Sequence, residues 1–223
     1  MSKSVTKLFF LVLIFCVGDS YCQQKPRFYD EIQAFKKQDS LHFPKKNSIL
    51  LVGSSSFRFW TSAQADFPAY PILNRGFGGA TLLDMIRYAN DIILPYNPKQ
   101  ILIYCGENDL GESDTMSVQT VVNHFKQLYG ILRKGLGNNV NISYVSMKPS
   151  VLREKIMPKL DAANLKIKAF LAVENNTQFI DVYHAMLTKD GVPMPEIFRD
   201  DKLHMKQNGY AIWQKTIEPY LVN

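Results

Sequence analysis

Ser48-Ile49-Leu50-Leu51-Val52-Gly53-Ser54-Ser55-Ser56-Phe57-Arg58 is the stretch of sequence that decides the fold. Its apolar run, Ile49 to Val52, is typical of a strand buried on both faces of a parallel sheet. Gly53 and three serines then end the run. A strand that ends in this way and leads into a helix presents a hydroxyl at the carboxyl edge of the sheet, where open α/β folds place their ligands. By themselves the serines also fit a simple helix cap.

The rest of the chain alternates short apolar runs with amphipathic segments, which is the pattern of a parallel sheet with helices on both faces. The predicted strands are residues 49–52, 72–74, 100–105, 140–146 and 178–182. The longer predicted helices are residues 81–90, 117–133, 159–173 and 206–220. This order predicts an α/β fold, a three-layer αβα sandwich around a five-stranded parallel sheet.

The first 22 residues have the pattern of a secretory signal peptide. Lys3 and Lys7 precede an apolar run at residues 8–17, and Ser20-Tyr21-Cys22 places small residues at the two positions that a signal peptidase reads. We predict cleavage before Gln23 and therefore a secreted or periplasmic protein. The run is too short to span a bilayer, so no stable membrane insertion is expected.

Two other features of this segment are given less weight. A lipid anchor on Cys16 or Cys22 is an alternative, but bulky Phe15 and Tyr21 stand where a small residue is expected. Gly18-Asp19-Ser20 spells a known hydrolase tripeptide, but no strand precedes it and it lies in the segment that is predicted to be removed.

The mature chain is predicted to be one domain with a short N-terminal extension. In residues 23–46, Phe28, Ile32 and Phe35 recur at helical spacing, which predicts an amphipathic helix packed on the edge of a domain at residues 47–223. Cys105, in a predicted strand, is the only cysteine left after cleavage, so the mature chain has no internal disulfide and the thiol is expected in the core.

Composition argues against several classes of partner. The formal net charge of +6 is spread along the chain without a lysine or arginine block, so nucleic-acid binding is not expected. The sequence has neither a phosphate-binding Gly-Lys-Ser/Thr loop nor a cluster of residues at metal-ligand spacing, so we expect no metal and no cofactor. Oligomeric state cannot be read from these features.

Residues with polar side chains, and one glycine with an available backbone N–H, follow the predicted strands at their carboxyl ends. Ser55 follows the first strand, Gly79 lies in the loop after the second, and Asn108 follows the third. Asp201 and His204 lie three residues apart before the last helix. Together they suit ester hydrolysis, in which a serine attacks the carbonyl, a histidine moves its proton, an aspartate orients the histidine and N–H donors hold the oxyanion.

Four segments resemble the sequence blocks of the SGNH (GDSL-type) hydrolase superfamily. They are Gly53-Ser54-Ser55, Asn74-Arg75-Gly76-Phe77-Gly78-Gly79, Gly106-Glu107-Asn108-Asp109 and Asp201-Lys202-Leu203-His204. The resemblance spans residues 47–220 and is similar to the branch with bacterial esterases related to platelet-activating-factor acetylhydrolase subunits. It implies a flavodoxin-like SGNH hydrolase fold and a carboxylic ester hydrolase.

The resemblance also implies a role for each site residue. Ser55 would be the nucleophile, His204 the base and Asp201 the acid that orients it. The oxyanion donors would be the backbone N–H groups of Ser55 and Gly79, with Gly78 as the alternative to Gly79, and the side-chain amide of Asn108.

Neighbouring positions receive lesser roles. Ser54 replaces the usual aspartate of the first block, which weakens any supporting role there. Asp109 is expected to support the loop and not to take part in the chemistry. Lys148, at the end of the fourth strand, is predicted to contact the alcohol portion of the substrate, with a solvated surface lysine as the alternative.

His184 is the rival base because it follows the fifth strand. Its neighbour Asp181 is predicted to lie within that strand, with its side chain pointing away from the edge. His42 and His124 lack a nearby acid at a strand end and are interpreted as surface or packing residues.

We therefore expect a serine esterase or acylhydrolase that acts on small-molecule or glycan esters, with acetyl groups on glycans as the first choice. A lipid or lysophospholipid acyl-ester hydrolase is the alternative within enzymes. A catalytically silent glycan-binding domain is a third interpretation, which the intact candidate catalytic residues disfavour.

Overall fold

The computed structural model describes residues 24–222. Its strands are β1 (Ile49–Gly53), β2 (Ile72–Gly76), β3 (Gln100–Tyr104), β4 (Asn141–Val145) and β5 (Thr177–Ile180). Its α-helices are α1 (Tyr29–Leu41), α2 (Ser55–Arg58), α3 (Ala63–Asp66), α4 (Leu82–Ile92), α5 (Glu107–Gly111), α6 (Val118–Leu136), α7 (Met157–Leu171), α8 (Val182–Ala185) and α9 (Gln207–Ile217). The predicted signal peptide, its cysteines and Gly18-Asp19-Ser20 lie outside the described residues.

The five strands form one parallel sheet in the order β2-β1-β3-β4-β5, which confirms the predicted flavodoxin-like α/β fold. In the register of the sheet, Gly53 at the end of β1 lies opposite Gly76 of β2 and Tyr104 of β3. These three strands therefore end level with one another. The loops that follow them meet at a single edge of the sheet.

The side chains of β1 alternate between two hydrophobic cores. Leu50 and Val52 belong to the core under α1, α4, α6 and α7, whereas Ile49 and Leu51 belong to the core under α2, α3 and α9. All four side chains have no solvent exposure. Because burying such a side chain contributes roughly 1.5–3 kcal/mol, β1 is fixed from both faces. The continuous apolar run in the sequence follows from this position.

Several element boundaries differ from the predicted ones. β2 continues through Gly76 instead of ending at Asn74, and α7 and α9 are each shorter or shifted by a few residues. The short helices α3, α5 and α8 were not predicted, and Val182 at the start of α8 was assigned to the fifth strand. Helices this short present too little periodicity to be recognised in a sequence.

The end of β5 requires a correction that bears on the site. β5 ends at Ile180, and Asp181 is not within the strand but precedes α8 as its N-cap. Its carboxylate accepts a hydrogen bond from the backbone N–H of His184 at 3.1 Å and contacts the His184 ring Nδ1 at 2.8 Å. The capping bond turns the side chain toward His184, which the prediction of an interior strand position did not anticipate.

Helix α1 is packed into the domain. Ile32 is fully buried, and Asp39 forms a buried ion pair with Arg75 of β2. The Tyr96 hydroxyl donates to Asp39 at 2.5 Å. Burial, together with this bond to a carboxylate, raises the pKa of Tyr96 to about 12. Among residues 24–222, no helix has the length and apolar character to cross a membrane.

Candidate active site

The end of β1 is shaped so that only one of three consecutive serines is accessible. Gly53 has a φ of +142°, and a Cβ on it would lie 1.9 Å from the carbonyl oxygen of Tyr104, so a side chain is excluded there. The N–H of Ser54 donates to that same carbonyl at 3.0 Å. Ser54 and Ser56 are each 3% exposed, whereas Ser55, the first residue of α2, is partly exposed.

Ser55, His204 and Asp201 form a hydrogen-bonded series at the carboxyl edge of the sheet. The Ser55 Oγ lies 3.0 Å from the His204 Nε2, and the His204 Nδ1 lies 2.7 Å from the Asp201 Oδ2. The fold thus joins residues that are 149 positions apart in the sequence. The distances fall in the range of direct hydrogen bonds between a nucleophile, its base and an orienting acid.

The turn from Asp201 to His204 holds the carboxylate in its charged form. The Asp201 Oδ1 accepts from the backbone N–H groups of Leu203 and His204, each at 2.9 Å, and Lys202 between them has a φ of 58°. Burial opposes ionisation of Asp201, but the hydrogen bonds from the His204 ring and from these two amides outweigh it and lower its pKa to about 2. On the other side, the Phe59 ring packs edge-on against the His204 ring, with 4.9 Å between centroids.

The predicted oxyanion donors follow the ends of β1, β2 and β3: Ser55 begins α2, Gly79 lies in the loop before α4, and Asn108 belongs to α5. Gly79 has a φ of +73°, the left-handed region that glycine adopts without strain. Among residues 24–222, no backbone carbonyl accepts a hydrogen bond from the N–H of Ser55 or of Gly79. Gly78, the alternative to Gly79, lies against Arg58, whose Nη1 would be 2.5 Å from a Cβ at that position.

The amide of Asn108 is oriented by two neighbours. Its Nδ2 donates to the carbonyl of Ala80 at 3.0 Å, and its Oδ1 accepts from the Arg153 Nη2 at 3.4 Å. An amide nitrogen carries two hydrogens, so one remains for a further acceptor. These contacts connect α5 to the loop after β2 and to the loop after β4.

Asp109 holds the start of α4. Both of its carboxylate oxygens accept from the backbone N–H of Leu82, at 3.2 and 3.1 Å. Burial raises the pKa of Asp109 to about 6, although the hydrogen bond from Leu82 acts in the opposite direction. A contact of this kind supports the geometry of the loop that precedes α4.

Lys148 does not occupy the position predicted for it. Its side chain is 1% exposed, and its Nζ lies 3.3 and 3.2 Å from the two carboxylate oxygens of Glu107. The Tyr104 hydroxyl donates to the same carboxylate. A buried lysine whose charge is paired in this way cannot extend to a substrate, so the predicted contact with the alcohol portion is corrected to a buried ion pair beneath Asn108.

Sequence reasoning missed Glu107 and Arg153. Glu107 occupies the variable position of the Gly-x-Asn-Asp block, and a charged residue so soon after a buried strand is the signal that could have identified it. Arg153 lies in the loop after β4, with no motif around it. Its contact with Asn108 depends on a fold that brings residues 45 positions apart together.

The rival base, His184, is not joined to Ser55. Its ring pairs with Asp181 at the end of β5, and its side chain is 62% exposed, compared with 22% for His204. His204 is therefore the histidine that the fold brings to the serine. Residues 24–222 contain no group of three or more histidine, cysteine, aspartate or glutamate side chains arranged to hold a metal ion.

A family model described as "GDSL-like Lipase/Acylhydrolase family" matches residues 16–212. The chain belongs to this family. It is accordingly a carboxylic ester hydrolase, as the sequence blocks predicted. The matched region begins ahead of the described residues and includes Gly18-Asp19-Ser20 as well as Gly53-Ser54-Ser55.

Solved structures share the fold at low sequence identity. A candidate platelet activating factor from Streptococcus pneumonia is 20% identical with a TM-score of 0.75, over 86% of this chain and 92% of that one. A GDSL-like lipase from Bacteroides thetaiotaomicron is 16% identical with a TM-score of 0.72, over 85% and 96%. A mutant of an acetyl-xylooligosaccharide esterase from Geobacillus stearothermophilus is 13% identical with a TM-score of 0.63, over 81% and 96%. No curated protein matches the chain significantly.

Proposed function

We propose that the protein is a secreted serine esterase that cleaves short-acyl esters, acetyl groups on glycans in particular, through an acyl-enzyme on Ser55. The observation that carries the proposal is the distance of 3.0 Å between the Ser55 Oγ and the His204 Nε2, with the His204 Nδ1 held 2.7 Å from Asp201. A nucleophile, a base and an orienting acid in that order are the parts that acyl transfer to serine requires.

The protonation states follow from the contacts. The Asp201 carboxylate only accepts hydrogen bonds, so the His204 Nδ1 carries the proton and Nε2 is free to accept. Nε2 takes the hydroxyl proton as the Ser55 oxygen forms a bond to the ester carbonyl carbon. The same proton then goes to the departing alcohol as its bond to that carbon breaks. Water, deprotonated by His204, then attacks the carbonyl carbon of the acyl-enzyme. His204 returns that proton to the Ser55 oxygen as the acyl–oxygen bond breaks, which releases the carboxylic acid and the free serine.

Three donors are proposed to stabilise the oxyanion of each tetrahedral intermediate. They are the N–H groups of Ser55 and Gly79 and the hydrogen of the Asn108 amide that Ala80 does not take. Donors that are fixed before the reaction are effective because they need no reorganisation as the charge develops. Loss of one such donor typically lowers kcat by about 10²–10³.

The proposed substrate class is supported by the structural neighbours and by the predicted signal peptide, whereas the mechanism is supported by the distances within the site. The acetyl-xylooligosaccharide esterase among the structural neighbours has the same fold, which favours a small acyl group on a glycan here. The predicted signal peptide favours an extracellular or periplasmic ester. The lipid acyl ester is the alternative because the family also contains lipases. A silent glycan-binding domain is disfavoured because it would have no need of the bonded Ser55, His204 and Asp201.

The nucleophile is tested by serine variants in the full chain. Ser55→Ala is expected to lower kcat/KM on p-nitrophenyl acetate by roughly a thousandfold or more. Ser54→Ala and Ser56→Ala are expected to retain most activity, and Ser20→Ala all of it, although Ser20 belongs to a Gly-Asp-Ser tripeptide. A fluorophosphonate probe is expected to label Ser55 alone. Labelling of Ser20, Ser54 or Ser56 instead would show that the first block has been placed incorrectly.

The acyl group is tested by a series of p-nitrophenyl esters from acetyl to palmitoyl. The highest kcat/KM is expected for acetyl. A maximum at long chains would replace the glycan ester with the lipid ester as substrate. Glycan binding without hydrolysis of any ester in the series would support the silent binding domain.

A further inference from the structure

Arg27, which precedes α1, reaches across to the proposed oxyanion loops. Its Nη2 donates to the carbonyl of Gly79 at 3.0 Å. Its Nη1 and Nη2 also contact the two carboxylate oxygens of Glu112, each at 3.1 Å. Glu112 directly follows α5, the helix that carries Asn108. One guanidinium therefore connects the loop after β2 to the helix after β3.

The backbone around Arg27 is itself anchored. The Tyr88 hydroxyl of α4 donates to the carbonyl of Arg27 at 2.7 Å. The guanidinium lies 4.6 Å from the centroid of the Phe28 ring, and Phe28 packs edge-on against Phe77 with 5.1 Å between centroids. A long surface arginine would ordinarily sample many rotamers, but these contacts restrict this one.

The carbonyl that Arg27 holds belongs to the residue whose N–H is a proposed oxyanion donor. A glycine backbone rotates more freely than that of any other residue, so the Gly79 N–H needs an external constraint to point in one direction. Arg27 holds the Gly79 carbonyl, and Asn108 holds the Ala80 carbonyl. The two bonds fix the two peptide groups that directly follow the one carrying the Gly79 N–H. Only the φ and ψ angles of Gly79 then separate this N–H from a fixed peptide group. This is the kind of preorganisation that electrostatic stabilisation of a transition state depends on.

We propose that Arg27 is a positioning residue that holds the Gly79 donor in place for catalysis. The inference rests on the proposed serine esterase function. Its effect belongs to kcat, because the oxyanion exists only after the substrate has bound. Its effect on stability is small, because the side chains of Arg27 and Glu112 are 48% and 42% exposed and exposed ion pairs contribute little.

The test compares variants of Arg27 with a variant of Lys36, which forms a similarly exposed ion pair in the same N-terminal extension. Lys36 of α1 pairs with Asp91 of α4 at 2.8 Å and is 49% exposed, but its partner lies at the far end of α4 from the glycine loop. We expect Arg27→Met to lower kcat on p-nitrophenyl acetate about tenfold, with KM changed less than about twofold and Tm lowered by less than about 2 °C. Lys36→Met is expected to leave kcat and KM unchanged.

Two further measurements separate positioning from a general structural effect. Arg27→Lys keeps the charge but not the paired donors of the guanidinium, so we expect it to recover only part of the lost kcat. Added guanidinium or methylguanidinium ion at millimolar concentration is expected to raise the kcat of Arg27→Ala and not that of Lys36→Met. Unchanged kcat in Arg27→Met, or an equal loss in Lys36→Met, would overturn the inference.

A failure of the proposed function is recognised separately. The wild-type protein and Ser55→Ala are assayed in parallel, so an inactive wild type or a fully active Ser55→Ala counts against the esterase mechanism itself. The NMR order parameters of the Gly79 and Ala80 amides do not depend on activity. We expect Arg27→Met to lower them from the value of about 0.85 that is typical of rigid backbone toward about 0.6, and Lys36→Met to leave them unchanged. Equal order parameters in Arg27→Met and the wild type overturn the positioning role.

Discussion

Two histidines of the chain share the same local arrangement and differ in what surrounds them. In each case an aspartate three residues earlier accepts from the histidine backbone N–H and contacts its ring Nδ1, at 3.1 and 2.8 Å for His184 and at 2.9 and 2.7 Å for His204. Only the Nε2 of His204 meets a serine hydroxyl. An Asp-x-x-His sequence therefore fixes the orientation of the imidazole, whereas its position relative to the sheet decides whether it can act as a base.

The base is tested by replacing each of the two histidines and Asp201. We expect His204→Ala to abolish esterase activity and His184→Ala to stay within about twofold of the wild type. Asp201→Asn is expected to be damaging but less so than His204→Ala, because it removes orientation and charge and leaves the imidazole. An inactive His184→Ala variant together with an active His204→Ala variant would show that the base lies at the end of β5.

The pH dependence of the same reaction involves two carboxyl groups with shifted pKa values. Asp201, whose pKa is lowered to about 2, stays ionised throughout the range in which the enzyme is assayed. Burial raises the pKa of Asp109 to about 6, so this carboxyl, which holds the start of α4, takes up a proton within that range. We expect kcat/KM to fall on acidification, because the reaction requires neutral His204 as the base. A kcat/KM that is unchanged or higher at acidic pH would contradict this role of His204.

At the scale of an element, the short helix α5 determines where the Asn108 amide lies. Three consecutive buried side chains leave this helix in different directions. Glu107 pairs with Lys148, Asn108 bonds to the carbonyl of Ala80, and Asp109 accepts from the N–H of Leu82. The helix is only five residues long, so these contacts and not helix propensity hold it in place.

The buried ion pair between Lys148 and Glu107 is expected to contribute to stability. Lys148→Met leaves the buried Glu107 carboxylate without its nearer cation, since the Arg153 Nε lies 3.9 Å away. Removing one partner of a buried ion pair typically costs about 3–5 kcal/mol. We expect the urea midpoint of unfolding to fall accordingly. Adding Glu107→Gln to Lys148→Met is expected to recover part of the loss, because it removes the unpaired charge. A change in substrate preference with unchanged stability would instead support the contact with substrate that the sequence had suggested.

The sequence predicted the elements that carry strong periodicity or a block of motif residues. The apolar run predicted β1, and the helical spacing of apolar residues predicted α6. The order of the sequence blocks predicted that Ser55, Asn108 and His204 lie at the carboxyl edge of the sheet. The partner of Lys148 could not be predicted, because a lysine after a strand is usually solvated and Glu107 lies 41 positions away. The end of β5 was missed for a local reason, since the cap formed by Asp181 outweighs the apolar continuation at Val182.

At the scale of the whole molecule, the N-terminal extension is part of the domain that carries the site. It contributes Ile32 to the core beneath α4, and its Asp39 neutralises the buried Arg75 of β2. Arg75 belongs to the second sequence block, yet its side chain points to Asp39 and not to Ser55. The block is thus held from two sides by the extension, through Asp39 at the strand and through Arg27 at the loop.

Two shortened chains test whether the extension is required. A chain that begins at Gln23 keeps α1 and is expected to fold and to hydrolyse p-nitrophenyl acetate as the full chain does. A chain that begins at Lys45 keeps Ser55, Asp201 and His204 but loses the Asp39 carboxylate that pairs with Arg75 and the cover that Ile32 gives to the core. Removing one partner of a buried pair typically costs about 3–5 kcal/mol, a large share of the roughly 5–15 kcal/mol that stabilises most domains. We therefore expect the Lys45 chain to lose its cooperative thermal transition and its activity together.

Asp39→Ala in the Gln23 chain isolates the ion pair and is expected to lower Tm while leaving α1 in place. Full activity and an unchanged Tm in the Lys45 chain would mean that α1 is an accessory element and that residues 47–223 fold independently.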